Sequence, residues 1–320
     1  MTSYGDAGIL KGVGFAGVIR GLAAVAAAAL IVIFVVGGAA PLRAATPAAP
    51  PPPLPPMGPT GTPAEKADQV EKDRIAGVAA FEHGDYAIAT DYFRRVRLID
   101  SSNDEGMFLL GRAFLATGDA AGAVDQFTSA IALNDRVEKY YYARGKAEMK
   151  LGKYAAAVAD FNRDLELRED KGTPIFFLSR ADAYLDNDET ALAIKDYDQV
   201  IAGDGDLRLA HLHRGVAQAR AGDLGAALAD LKVAREAGEI GGALDFDTLF
   251  YQGVVLQLDR DMTNALADYK AAAVFKDERS PLAQCLADVL AHKRYGLFSS
   301  KPKACKDFDA AKALRLPPNS

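Results

Sequence analysis

The 320-residue chain has no tryptophan, 2 cysteines, 4 histidines and no excess of basic charge, its formal net charge being −6. Each shortage excludes something. Two cysteines cannot build a disulfide framework or a cysteine-rich zinc module. His211 and His213 stand two apart, which on a helix points them to different faces, unlike the i, i+4 pair of a zinc helix. Net acidity argues against a nucleic-acid binder, which carries a basic footprint. There is no P-loop and no G-x-S-x-G, and the acidic run 186–189 lacks the glycine and late glutamate of a calcium loop. The expectation is a protein that is not an enzyme, with no cofactor, no metal and no small-molecule substrate.

Charge is also missing locally. Residues 21–42 contain none, with Arg20 before them and Arg43 after. At 1.5 Å per residue the run spans roughly 33 Å, enough for a ~30 Å hydrocarbon core. The reading preferred is a single membrane anchor behind a leader, residues 1–20. A cleaved secretory signal is the alternative, although no clean small-x-small site follows: a cut after Ala40 leaves Pro41 next, and one after Ala45 leaves Arg43 three back. Lys11 and Arg20 against Asp6 favour an inside N-terminus, which Arg43 opposes. Either reading places the remainder beyond the membrane, in the periplasm of a bacterium, anchored to the inner membrane or released after cleavage. The inverted topology, with the remainder cytoplasmic, stays open. No cysteine lies near the span, which excludes lipoprotein-type acylation. Residues 12–17 satisfy G-x-G-x-x-G but lead into the apolar run, not into a βαβ unit, so they carry no dinucleotide site.

Proline is scarce except in one place: 10 of the 15 lie between Pro41 and Pro63. Residues 43–63 therefore read as a polyproline-type linker of up to roughly 70 Å. A ligand for an SH3-like groove is the sharper alternative. Residues 1–63 carry three basic groups (Lys11, Arg20, Arg43) and one acidic, Asp6, so the net charge on 64–320 is −8.

Residues 64–276 are punctuated helix with an internal period. Small residues fall at Gly77, Gly111, Gly145, Ala181, Gly215 and Gly253, spaced 34, 34, 36, 34 and 38 apart. Seven residues after each comes a break: Gly84, Gly118, Gly152, Asp188, Gly222 and Arg260. Five further stands an alanine in every copy (Ala89, Ala123, Ala157, Ala193, Ala227, Ala265). Four beyond that stands a large residue: Phe93, Phe127, Phe161, Tyr197, Leu231 and Tyr269. Glycine inside a helix costs ~1 kcal/mol against alanine. Its recurrence at one register predicts a close backbone approach, with the alanine of the following helix as the expected neighbour. The break glycine suits a left-handed helix end, and the aspartates after four of the breaks (Asp85, Asp119, Asp223, Asp261) suit the next N-cap. Each unit is a helical hairpin that cannot bury its bulky wedge alone, so the units must stack.

These residues resemble the tetratricopeptide repeat family, in six units over about residues 70–276. The resemblance implies an all-α, right-handed solenoid of helical hairpins. The chain departs from the pattern at Asp73, Met107, His211 and Leu249, where an early aromatic is usual, at the two breaks without glycine, and at Asp164 in the apolar seam. Residues 277–320 read as a degenerate seventh unit or C-terminal cap. In it Ser280 is the expected helix cap, and Ala304, Phe308 and Ala311 repeat the seam spacing. Cys285 and Cys305 lie there and would either form a disulfide or remain two buried or unpaired thiols.

The resemblance further implies that first helices line a concave groove for a protein or peptide partner. Groove candidates are Phe108, Arg112, Lys139, Tyr142, Lys146, Met149, Lys150 and Asp182. The lysine/asparagine pair with which some members hold a terminal carboxylate has no match. Arg112, Lys139, Lys146 and Lys150 can form a basic patch beside Tyr142 and Met149 for an acidic or extended segment, or an ordinary solvated helix face. The functional expectation is a membrane-tethered, non-catalytic interaction scaffold, in envelope assembly or complex organisation. A cleaved periplasmic adaptor and a non-catalytic subunit of a membrane enzyme complex are the alternatives.

Overall fold

A computed structural model describes residues 61–203, 207–236, 243–275, 277, 279–293 and 310–314. The leader, the run 21–42, nearly all of the proline-rich linker and Cys305 lie outside them. Among the described residues no helix is long and apolar enough to cross a membrane.

The described chain is helical throughout: α1 (Pro63–Glu82), α2 (Tyr86–Ile99), α3 (Asp104–Ala116), α4 (Ala120–Leu133), α5 (Glu138–Lys150), α6 (Tyr154–Leu167), α7 (Pro174–Asp186), α8 (Thr190–Ala202), α9 (Leu207–Arg220), α10 (Leu224–Glu236), α11 (Ala243–Leu258), α12 (Met262–Ala272), α13 (Ser280–Lys293) and α14 (Ala310–Ala313). Helices pack mainly on their neighbours in sequence, so α1–α2 through α11–α12 form six stacked hairpins. α14 packs on α11, and Leu314 beside it is buried. The linker ends where Pro63 takes the first helical position. Thr62 caps the Glu65 amide at 3.3 Å, and the Glu65 carboxylate accepts from the Thr62 amide at 2.7 Å.

The period has a direct steric cause. A Cβ added at Gly77, Gly111 or Gly145 would meet the ring of Phe93, Phe127 or Phe161 at 2.6, 2.6 and 2.9 Å. At Gly215 and Gly253 it would meet Leu231 at 3.0 Å and Tyr269 at 2.8 Å. The side chain lying on each glycine is thus the bulky wedge of the following helix; the expected alanine comes as close at Gly215, where the Ala227 carbonyl would lie 3.1 Å from an added Cβ. The alanine serves another purpose. It is fully buried in all six units and leaves room for the two helices to close around the wedge.

All six breaks are left-handed. φ is +85°, +88°, +69° and +89° at Gly84, Gly118, Gly152 and Gly222, and also +63° at Asp188 and +66° at Arg260. At each, the next amide donates five residues back, as from Asp119 to the Phe114 carbonyl at 2.8 Å and from Asp261 to Leu256 at 2.8 Å. Asp119, Asp223 and Asp261 cap the following helix through their side chains, whereas Asp85 makes no such bond. Ser280 is not a cap either: it opens α13 and its hydroxyl donates to the Phe275 carbonyl at 2.6 Å.

A second, electrostatic period lies over the first. One residue before the seam position, Arg144, Arg180 and Arg214 each grip the aspartate one residue before their own wedge. Arg144 donates twice to Asp160 at 2.7 and 2.7 Å, Arg180 to Asp196 at 2.6 and 2.9 Å, and Arg214 to Asp230 at 2.7 and 2.8 Å. The third guanidinium nitrogen reaches back to the preceding hairpin, at Thr128, Asn162 and Asp198 respectively. Each arginine thus ties its own hairpin shut and fastens it to the one before.

The odd residues of the pattern find local answers. Asp73 pairs with Arg95 at 3.1 Å in a buried position. Asp164, fully buried in the seam, pairs with Arg168 at 2.8 Å; burial outweighs that pair and pushes its carboxyl up.

Candidate functional site

The first helices of the second and third hairpins each align a strip of charged and aromatic side chains along one face. On α3 the strip runs through Glu105, Phe108 and Arg112; on α5 it runs through Lys139, Tyr142, Lys146 and Lys150. Three contacts show that these strips lie side by side. Lys139 Nζ meets Glu105 at 2.8 Å, joining α5 to α3. Arg112 lies over the Phe81 ring of α1, 4.8 Å from its centroid. The Tyr142 hydroxyl lies 3.0 Å from Ser179 Oγ on α7. Ser179 Oγ donates to the Ile175 carbonyl at 3.0 Å, so the tyrosine is the donor. The first helices therefore present one continuous face.

Its floor is aromatic. Phe108 is nearly buried, 5.1 Å from the Tyr140 ring and 5.8 Å from the wedge Phe127. The Arg112 guanidinium and the Lys139 ammonium lie over that same Phe108 ring, at 5.8 and 4.9 Å. Tyr142 rests on Phe161 at 5.6 Å, and Met149 is half-buried against the core.

Charge on the face is uneven. Lys139 is already neutralised by Glu105. Lys150 is exposed at the end of α5. Arg112 and Lys146 make no hydrogen bond or ion pair among the described residues. Lys146 is half-buried, and burial pushes its ammonium pKa down, with nearby Lys150 adding to the effect and Asp182 opposing it. Asp182 itself is buried. One of its oxygens accepts from the Tyr197 hydroxyl at 2.8 Å and lies 2.8 Å from His213 Nδ1. It is thus engaged with its own scaffold and turned away from solvent.

The structure brings Phe108, Arg112, Lys139, Tyr142 and Lys146 onto adjoining strips, with Met149 and Asp182 packed inward at their margin. Glu105 and Ser179 escape a search for basic and aromatic groups. The signal for Glu105 is its spacing: it precedes Lys139 by one 34-residue period, and residues one period apart sit on adjacent first helices. His211 and His213 bind separate aspartates, Asp230 and Asp182, and no cluster of metal-binding side chains occurs among the described residues. Cys285 is a disulfide cysteine, while Cys305 lies outside the described residues.

A tetratricopeptide repeat model matches the sequence in four overlapping stretches, 76–137, 108–174, 142–207 and 178–239. The chain belongs to the tetratricopeptide repeat family. Tetratricopeptide repeats pack as all-α hairpins, and solved structures share that fold with it. One is PilW, a widely conserved type IV pilus biogenesis factor, at 15% identity and TM-score 0.57 over 67% of this chain and 98% of PilW. Another is pilF of Pseudomonas aeruginosa, at 13% and 0.53 over 72% and 99%. A third is MamA from Desulfovibrio magneticus RS-1, at 18% and 0.50 over 53% and 94%. At such identities the likeness is one of fold alone. No protein of curated function matches the sequence.

Proposed function

We propose that this tetratricopeptide repeat chain is a non-catalytic scaffold that binds a partner protein segment along the face made by its first helices. The observation that carries this reading is the continuous face across α1, α3, α5 and α7, with aromatic rings and two cations, Arg112 and Lys146, that make no hydrogen bond or ion pair among the described residues. Arg144, Arg180 and Arg214 of the first helices, by contrast, are spent on fastening one hairpin to the next. In the same reading residues 21–42 tether the scaffold to the bacterial inner membrane. The proline-rich linker holds the repeats off the bilayer in the periplasm, where they organise an envelope assembly. A disulfide between Cys285 and Cys305, the two cysteines of the chain, belongs to this placement in an oxidising compartment.

Photo-crosslinking in cells tests the binding face. A crosslinker is placed at Tyr142, on the strip, and in a second variant at Leu98, exposed on α2. A discrete adduct from Tyr142 and none from Leu98 is expected. An adduct from Leu98 alone, or none from either, overturns the reading. The tether is tested on the same cells: the full chain, with Met1–Arg43 retained, should resist extraction of membranes by alkaline carbonate.

A further inference from the structure

The C-terminal end of the array departs from the repeat plan. In all six hairpins the second helix packs on its own first helix. α14 does not close a seventh hairpin in that way: its main contact is α11, the first helix of the sixth hairpin, and not α13. Leu314, directly after α14, is 2% exposed and lies in the same core as Phe250 and Val254 of α11. Ala310 and Ala313 are half-buried against that core. The α11 face they join is closed. Lys139 on α5 is exposed and Tyr142 and Lys146 are half-buried, whereas the equivalent residues of α11, Asp247, Phe250 and Val254, are buried.

Little in the segment itself explains why it stays. Four residues of helix are far below the length at which a helix stands alone. The described side chains that hold it are two alanines and one leucine. A tether supplies the rest. Cys285 on α13 is buried and disulfide-bonded, and the chain has one other cysteine, Cys305, five residues before Ala310. Without a bridge the segment is joined to α13 through the seventeen residues from Lys293 to Ala310; with it the tether is five. The effective concentration of a tethered group falls roughly as the −3/2 power of tether length, so the bridge raises it about sixfold.

We propose that Ala310–Leu314 is a built-in occupant of the first-helix face at the sixth hairpin, latched by a Cys285–Cys305 bridge, and that reduction by a dithiol opens this end of the face. The chemistry it then accepts is that of the segment itself, small side chains followed by a leucine, supplied by a partner; that step rests on the partner-face reading above. The release is a thiol–disulfide exchange. A thiolate of the dithiol attacks one sulfur of the bridge and forms a mixed disulfide, while the other cysteine leaves as a thiolate and takes up a proton. The second thiolate of the dithiol then displaces the remaining cysteine. The bridge has gained two electrons and two protons, and the reductant has become a disulfide.

The full chain in mild detergent is treated with trypsin, and cleavage after Lys312, inside α14, is timed by mass spectrometry. Cleavage after Arg136, exposed between α4 and α5, is the internal control. Dithiothreitol should speed cleavage after Lys312 about sixfold and leave that after Arg136 unchanged. Cys305→Ser should reproduce the reduced rate without reductant. Leu314→Asp should raise the rate more than about tenfold even with the bridge intact, because the large buried side chain of the segment is lost. Leu314→Ala serves if the aspartate variant unfolds. A labelled peptide of residues 306–318 then probes the vacated surface by fluorescence anisotropy. It should bind reduced Leu314→Asp, and bind the oxidised parent at least about tenfold more weakly. Two free thiols in the oxidised parent, equal rates with and without dithiothreitol, a Leu314→Asp rate no faster than the parent's, or no peptide binding to that variant overturns the proposal. Failure is separable from failure of the broader reading. If the Tyr142 crosslink fails while these rates hold, the latch stands and the partner face falls; the reverse result spares the face.

Discussion

The fifth and sixth hairpins are built on one steric plan and differ in their electrostatics. Both place a wedge, Leu231 or Tyr269, over a seam glycine, and both bury the alanine four residues earlier. Both also bury an aspartate beside the wedge, Asp230 or Asp268. In the fifth hairpin Arg214 grips that aspartate with two hydrogen bonds, and His211 adds a third contact at 2.8 Å. In the sixth, the arginine position holds Gln252, and the nearest cation, the exposed Arg235, stands 3.5 Å from Asp268. The two carboxyls respond in opposite directions. Burial pushes Asp230 up, but the Arg214 and His211 hydrogen bonds outweigh it and hold it below the usual carboxylate range. Burial of Asp268, offset only by Arg235, pushes it up to about 6. The steric seam is therefore sufficient to form a hairpin, and the arginine clamp is an added layer that the sixth unit lacks.

The largest effect should come from breaking the clamp. Arg214→Ala leaves Asp230 buried with His211 as its remaining partner and removes the tie to Asp198. Removing one member of a buried pair costs about 3–5 kcal/mol; Arg214 is partly exposed, so about 2–3 kcal/mol is expected here. Gln252→Ala, at the same register, should cost under about 0.5 kcal/mol. Hydrogen exchange resolved by helix is the appropriate measurement, because a repeat array need not unfold in one step. Amides of α9 and α10 should lose protection in Arg214→Ala, and those of α11 and α12 should be unchanged in Gln252→Ala. Equal losses would erase the distinction between the two hairpins.

Supplying the clamp is the converse experiment. Gln252→Arg puts a guanidinium where Arg214 stands one hairpin earlier. Asp268 should then fall from about 6 to below the usual carboxylate range, as Asp230 does. The sign of the pH dependence follows. With the raised pKa, the folded chain holds a proton that the unfolded chain has released, so this group's contribution improves as pH falls from above 6 towards 4. With arginine in place the contribution reverses: it is present at neutral pH and lost in acid. NMR titration of the Asp268 carboxyl carbon reads this directly. The gain at neutral pH should be about 1 kcal/mol, less than the loss in Arg214→Ala. The position that accepts the third arginine nitrogen in other hairpins is Lys232 here, so adding Lys232→Asp should increase the gain.

The seam was legible in the sequence because it is made of single positions repeated at one interval. A glycine, a break, an alanine and a wedge can be counted along the chain. The clamp was equally periodic but needed two positions to be read together. Arg144, Arg180 and Arg214 each precede their aspartate by 16 residues, a distance that means contact only once the hairpin geometry is known. The identity of the glycine's neighbour was missed for a related reason: spacing shows that something approaches, not which side chain of the facing helix does. On the partner face, Arg112, Lys139 and Lys146 were all visible as basic groups. Their difference was not, because Glu105 and Asp182 act across adjacent hairpins. The disulfide partner of Cys285 and the run 21–42 fall outside the described residues, so spacing and composition alone speak for them.

The smallest expected effect concerns the break of the sixth hairpin. Arg260 adopts φ +66°, where the fifth hairpin has Gly222 at +89°. A residue with a Cβ pays about 1 kcal/mol or more in that region, and glycine does not. Against this, glycine adds entropy to the unfolded chain, worth about 0.4–1 kcal/mol. Arg260→Gly should therefore stabilise the sixth hairpin by at most about 0.5–1 kcal/mol, seen as slower exchange of the α12 amides. The choice of site matters. Asp188, at φ +63°, is the other break without glycine, but its carboxylate pairs with Arg220, so replacing it removes a contact together with the strain. The Arg260 side chain is exposed, and no such loss enters. Gly222→Arg is the mirror test: it should cost the fifth hairpin about as much as Arg260→Gly gives the sixth. If Arg260→Gly instead weakens protection in α12, the left-handed break is not a source of strain there, and the missing clamp alone separates the two hairpins.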